Sequence, residues 1–351
     1  MPDYLATRYP RLTKRLGKMT LAELPSPVTD IEFKTAVGRR PLSIKRDDIS
    51  NATYGGNKIR KLEYILQRAR ERGARRVATF GAVGSHHALA TAIFAAQSNL
   101  ECTCFLAPQR PGPGIARTLN MHRRLGTEVV PIGRSIDTLA TLRRYLHGRH
   151  CWVVPMGGSS WLGAAGFVNA GLELAQQVAS GELARPDRIY MATGTMGSSA
   201  GLALGLALAG LPAELHAVRV VDTEYASPQR FDQLVRKTLL MLRRLDPTIP
   251  ADAAEGVRVR WRDEFFAGGY AVADRATTAA VQMAHDSLGL TLETTYTGKA
   301  MAALLHDVAS VRYRGEQCLF WNTYSSQPLP VSGERPASRD NLPEAFMRYF
   351  D

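Results

Sequence analysis

The chain has no apolar stretch of the roughly eighteen uncharged residues that a membrane-crossing helix needs, so no membrane partner is expected. Cysteine is scarce, with four residues in 351. Cys102, Cys104, Cys151 and Cys318 match neither a zinc signature nor a disulfide framework. The one close pair, Cys102 and Cys104, has the spacing that on a strand turns both thiols to one face, where core packing explains them. His86 and His87 are adjacent, and adjacent side chains on a helix diverge by about 100°; no metal is expected. The first residues, MPDYLATRYPRLTKRLGKM, are basic but lack the apolar core of a secretory signal, which predicts a cytoplasmic protein. Internal repeats and low-complexity tracts are absent as well.

Charge is present but not concentrated. The net charge of +12 comes from 44 Lys and Arg against 32 Asp and Glu. The arginine pairs Arg75-Arg76, Arg123-Arg124, Arg143-Arg144 and Arg243-Arg244 fall on different elements, whereas a nucleic-acid reader gathers its basic residues on one face or tail. Solvated surfaces with a general attraction for anionic ligands are the expectation, and nucleic acid is not an expected partner.

Strand and helix patterns then alternate. Residues 1 to 30 read as an arm ending in Leu24-Pro25-Ser26-Pro27. Strands are expected at Leu42 to Lys45, Arg76 to Phe80, Glu101 to Leu106, Glu128 to Pro131, Arg188 to Ala192, Glu214 to Val221 and Cys318 to Trp321. Helices are expected at Lys58 to Arg72, His86 to Gln97, Ile115 to Leu125, Ile136 to Leu146, Gly163 to Ala179, from the stretch Thr193 to Gly201 on to about Ala209, Ser227 to Arg244, Asp274 to Leu288 and Ala300 to Arg312. This alternation predicts an α/β fold with parallel sheet and helices on both faces. The Pro-, Ser- and charge-rich tail after Pro328 reads as a surface extension.

The stretch that organises the chain is LSIKRDDISNATYGGNKIRKLEYIL, from Leu42 to Leu66. An apolar run meets a glycine break, and Lys58 opens an amphipathic helix. A lysine at such a junction is either solvated, as at most helix starts, or partly desolvated, which lowers its pKa and frees its amine to attack a carbonyl, as pyridoxal-phosphate lysines do. Thr193 to Gly201 is a strand, a Gly- and Ser-rich turn and a helix. It reads either as a phosphate cradle or as a close-packed turn, and it fits neither nucleotide fingerprint. Gly81 to His87 repeats the form, with Ser85 either capping the helix or meeting a carboxylate. Tyr296-Thr297-Gly298-Lys299 is another loop-to-helix junction, where Thr297 reads as a helix cap or as a hydroxyl offered to a ligand.

Taken in order, KRDDISNATYGGNKIRKLE, the GSHH turn, Gly157-Gly158-Ser159-Ser160 with Gly163 and Gly166, GTMGSSAG and YTGKAM resemble the family of 1-aminocyclopropane-1-carboxylate deaminase and D-cysteine desulfhydrase. The likeness runs from about Leu24 to about Tyr324. It implies a tryptophan synthase β-like fold (fold type II for pyridoxal-phosphate enzymes): two domains with parallel twisted sheets flanked by helices. The large domain would comprise 1–54 and 166–328, the inserted small domain 55–165, and the extension 329–351. It also implies pyridoxal 5'-phosphate as cofactor, a small amino acid as substrate and a homodimer.

Position by position, Lys58 is similar to the lysine that bonds the cofactor, and Lys61 to a structural lysine. Gly194, Thr195, Met196, Gly197 and Ser198 resemble the phosphate loop. Thr297 matches the residue beside the pyridine nitrogen, Tyr296 an active-site tyrosine, and Ser85 the serine tied to the substrate carboxylate and proton transfers. His86, His87 and Tyr324 belong to the expected substrate side, and His86 also touches the cofactor ring. A hydroxyl at Thr297, where the deaminases carry Glu, favours a neutral ring and points to β-elimination, with release of ammonia and a 2-oxo acid. Three positions depart from the family pattern. His86 stands for Asn, Met196 for Gly, and Asn322-Thr323-Tyr324-Ser325 for His-Thr-Gly-Gly. These changes leave open β-replacement, deamination of an unusual amino acid including 1-aminocyclopropane-1-carboxylate, or cofactor binding without turnover.

Overall fold

The structure, a computed structural model, describes residues 2–35, 38–112, 114–133, 150–310, 313, 315–329 and 342–350. The alternating pattern resolves into two sheets. The larger contains strands β1 (Val28–Thr35), β2 (Gly38–Lys45), β7 (Arg188–Thr193), β8 (Glu214–Arg219), β9 (Val259–Arg262) and β10 (Cys318–Trp321), in the order β1-β2-β10-β7-β8-β9. Only β1 is antiparallel, pairing Ile31 with Leu42. The smaller is parallel, in the order β5-β4-β3-β6, from β3 (Arg76–Ala82), β4 (Glu101–Ala107), β5 (Glu128–Pro131) and β6 (Cys151–Val153). All four of its strands lie in sequence between β2 and β7, so the chain leaves the large sheet and later returns to it. Strands β7 and β10 are almost wholly buried, as expected of continuous apolar runs inside a parallel sheet.

The helices are α1 (Tyr4–Arg8), α2 (Asn57–Glu71), α3 (His86–Gln97), α4 (Ile115–Arg124), α5 (Trp161–Ala179), α6 (Gly197–Ala209), α7 (Pro228–Leu245), α8 (Arg275–Leu288) and α9 (Thr297–Val308). Helix α6 is apolar nearly all round and correspondingly buried. It lies against α5 at backbone distance: a Cβ on Gly201 would come within 2.2 Å of the Ala164 carbonyl oxygen, and one on Gly205 within 2.4 Å of that of Val168. None of these helices is long and apolar enough to cross a membrane.

Several expectations change. Strands β1, β6 and β9 were hidden by short length or by charge in alternate positions. Arg262 of β9 is buried because its guanidinium forks onto Asp307 at 2.6 and 3.1 Å. The N-terminal arm contains α1 and a 3-10 turn, Pro10–Lys14, and buries Leu5, Leu12 and Leu16. Nor is the tail only a surface extension. Leu342, Phe346 and Tyr349 recur at helical spacing and are buried, and the Tyr349 hydroxyl exchanges hydrogen bonds with the Gln109 backbone at 2.8 and 2.9 Å. The expected helix Ile136 to Leu146 lies outside the described residues.

Candidate active site

Helix α2 is fixed to the large sheet by a fully buried ionic network. Arg60 donates to Asp47 at 2.7 and 2.9 Å and to Glu173 of α5 at 2.8 and 2.9 Å. Lys45 at the end of β2 reaches Glu173 at 2.6 Å, and the Trp321 indole of β10 donates to Asp47 at 2.8 Å. Burial alone would raise the Glu173 carboxyl, but Arg60 and Lys45 outweigh it and hold its pKa down to about 2. The network ties β2, α2, α5 and β10 together, and Lys58 lies two residues from Arg60. At Gly56 the chain turns with φ +89°, and a Cβ there would strike the Thr323 carbonyl oxygen at 2.8 Å. Glycine lets the Tyr324 loop close over the start of α2.

A cavity of about 480 Å³ opens here, in the range of small-ligand sites. Every functional residue singled out in the sequence lines it. The Lys58 Nζ donates to Asn57 Oδ1 at 2.7 Å and sits 5.7 Å from the centre of the Tyr296 ring. Burial lowers its pKa to about 8, although the nearby Glu293 charge works against the shift. Asn57 in turn donates to Ser198 Oγ at 2.8 Å. Lys61 is buried and gives its ammonium to the Gly157 carbonyl at 2.5 Å; burial, then the Lys58 charge, push its pKa well down.

The loop after β7 bends through Met196, which holds a left-handed φ of 65° at the N-cap of α6. Thr195 and Ser159 share a hydroxyl–hydroxyl bond of 2.7 Å, and Ser159 also accepts the Gly197 N–H at 3.0 Å. The backbone N–H groups of Thr195, Met196, Ser198 and Ser199 have no partner among the described residues. They face an anion-binding geometry at a helix start. A phosphate suits this loop, and an aldehyde suits the depressed lysine, so the cavity fits pyridoxal phosphate.

The opposite wall is aromatic. Tyr54 Oη lies 3.0 Å from His86 Nδ1, and Tyr324 meets the imidazole edge-on at 5.1 Å. Burial raises the Tyr54 pKa and lowers that of His86, so both groups are neutral. The phenol and Nδ1 share one hydrogen bond, whose direction is set by the imidazole tautomer. His87 is tied to the wall, its Nε2 2.9 Å from Thr79 Oγ1. Ser85 caps α3 by accepting the Ala88 N–H at 3.2 Å. Tyr296 Oη lies 3.0 Å from Tyr270 Oη, and burial raises both phenol pKa values.

Thr297 is not the cap of α9 but its first residue. Glu293 caps the helix instead, accepting the N–H groups of Thr295, Tyr296 and Thr297 at 2.7, 2.9 and 2.8 Å. Sequence reading gave no role to Glu293, Tyr270, Tyr54, Asn57 or Ser159. Asn57 lies within GGNK and Glu293 three residues before YTGK, so both could have been found. Tyr270 lies in an irregular loop with no periodic signal.

Residues 19–323 match the family model described as pyridoxal-phosphate dependent enzyme. A D-cysteine desulfhydrase from Salmonella choleraesuis (strain SC-B67) is 33% identical over 328 residues, which cover 90% of this chain and 94% of that protein. The solved structure of an ACC deaminase homologue superposes with a TM-score of 0.71 at 25% identity, covering 92% of this chain and 95% of that one. A fungal L-serine ammonia-lyase from Rhizomucor miehei shares the fold, with a TM-score of 0.59 at 17% identity over 88% of this chain and 96% of that one.

Proposed function

The chain belongs to the pyridoxal-phosphate dependent enzymes, and from that premise we propose that it is a lyase that eliminates a β-substituent from a small amino acid, releasing ammonia and a 2-oxo acid. The observation that carries this reading is the convergence of Lys58, the open loop at Thr195 to Ser198 and the Tyr270–Tyr296 phenol pair on one cavity. The likeness to D-cysteine desulfhydrases supports a substrate with a leaving group on its β-carbon.

Pyridoxal phosphate, when bound, supplies an aldehyde for amino groups and a ring that withdraws electrons from the substrate's Cα. Lys58 would hold it covalently, while the loop N–H groups would hold the phosphate. Lys58 Nζ would be the base for the substrate's α-proton, suited to that role by a pKa lowered to about 8. The paired phenols of Tyr296 and Tyr270 pass a proton to the departing β-substituent. Ser85, whose own hydroxyl proton has no partner among the described residues, donates to the substrate carboxylate. In this reading residues 55–165 form an inserted small domain, and the enzyme is a cytoplasmic homodimer. The two interleaved sheets support the first point and the family likeness the second.

A panel of D- and L-amino acids carrying β-leaving groups, assayed for 2-oxo acid and ammonia, tests the proposal. Turnover of at least one is expected, and turnover of none would overturn it. Deamination of 1-aminocyclopropane-1-carboxylate is the second reading, favoured by the likeness to the ACC deaminase homologue; the same assay with that substrate decides it. A thiol added to the reaction separates elimination from β-replacement, because only replacement yields the thioether amino acid.

A further inference from the structure

We infer that Glu293 is a positioning residue that turns the Thr297 hydroxyl into an acceptor only, so that the ring nitrogen of pyridoxal phosphate is held protonated. This rests on the reading above that Thr297 stands beside that nitrogen. A hydroxyl has one proton and two lone pairs. Thr297 Oγ1 accepts the Glu293 backbone N–H at 3.1 Å, which uses one lone pair. Its proton has two acceptors within reach, Glu293 Oε1 at 3.2 Å and the Glu293 carbonyl at 3.4 Å. Both belong to the same residue, so with the proton turned to either, the hydroxyl presents a lone pair to the cavity.

A neutral pyridine nitrogen also presents a lone pair, and two lone pairs face to face repel. A protonated nitrogen presents N–H and completes the bond. The charge of Glu293 acts in the same direction. Its carboxylate lines the cavity and is held in place by the three backbone N–H groups at the start of α9. Glu293 also acts electrostatically on Lys58 and His86, in each case favouring the protonated form. A positive ring nitrogen in this cavity gains the same support. The consequence reverses what threonine alone suggests: the Glu293–Thr297 pair behaves as a carboxylate relayed through a hydroxyl, and the ring becomes a strong electron acceptor.

The test uses holoenzyme loaded with pyridoxal phosphate labelled with 15N in the ring. At neutral pH the wild-type resonance is expected at the protonated position, and Glu293→Gln is expected to move it to the neutral position. Glu293→Asp, which keeps the charge, is expected to retain the protonated signal. In the Gln variant kcat for elimination should fall by ~10-fold or more with KM changed by less than about twofold, the pattern for a contact that matters in the transition state. A neutral resonance in the wild type, or an unmoved one in Glu293→Gln, would overturn the inference. Should the Gln variant lose its helical circular dichroism, Thr297→Val removes the lone pair without touching the cap, and an unmoved protonated resonance there is equally contrary. If borohydride reduction leaves no cofactor on Lys58, it is the functional reading that fails, not this one.

Discussion

Beneath Lys58, the side chains that anchor its helix are paired within the protein, whereas on the cavity wall of Tyr54, His86 and Tyr324 hydrogen-bonding capacity is left over. Arg60, Asp47, Glu173 and Lys45 saturate one another without solvent. Across the cavity, His86 has one nitrogen engaged by Tyr54, and Tyr324 meets it through a ring edge. The network fixes where Lys58 stands; in the proposed reading the aromatic wall selects the substrate. Such a division allows substrate preference to change on one side while the chemistry on the other is kept.

Four substitutions sharpen this contrast. Lys58→Ala should reduce elimination by ~10³-fold or more, the upper range for loss of a positioned base, with the thermal unfolding profile of the apoprotein little changed. Glu173→Ala takes from buried Lys45 its carboxylate partner and from Arg60 one of its two, and should destabilise the protein by about 3–5 kcal/mol in urea titration, the usual penalty for breaking a buried pair. The sign of its pH dependence follows from the depressed carboxyl. Stabilisation by Glu173 is complete above the ordinary carboxyl value of 4.5 and is lost as the pH falls toward about 2. The wild type should therefore lose stability over that window, and the variant should show a flatter profile.

Changes on the aromatic wall should leave stability nearly alone. Tyr296→Phe is expected to lower kcat by ~10²-fold through loss of one proton-transferring hydroxyl, read by steady-state kinetics. Tyr324→Gly should shift the ratio of kcat/KM between a small and a bulky substrate by ~10-fold, in favour of the bulky one, the scale on which pocket shape discriminates. If Tyr324→Gly unfolded the protein as readily as Glu173→Ala, the division between the network and the aromatic wall would be false.

The central elements were legible because their signals are local. Helix α3 spans His86–Gln97 as the pattern indicates, and the glycine turns before α3 and α6 announce their own geometry. What escaped depends on distant partners. Arg262 looks like a surface residue until Asp307, on another element, makes its burial possible. Phe346 lies in a tail whose composition suggests solvent, yet the fold offers it a core position. Tyr270 reaches Tyr296 from a loop whose path no periodicity describes. Glu293 shows a subtler limit: the residue type at Thr297 was readable, but the partners of its hydroxyl, the backbone and side chain of Glu293, were not.

The most direct test is borohydride reduction of the purified holoenzyme followed by peptide mapping by mass spectrometry. The account predicts a pyridoxyl group on Lys58. Label on Lys61 or another lysine, or no label at all, would contradict it.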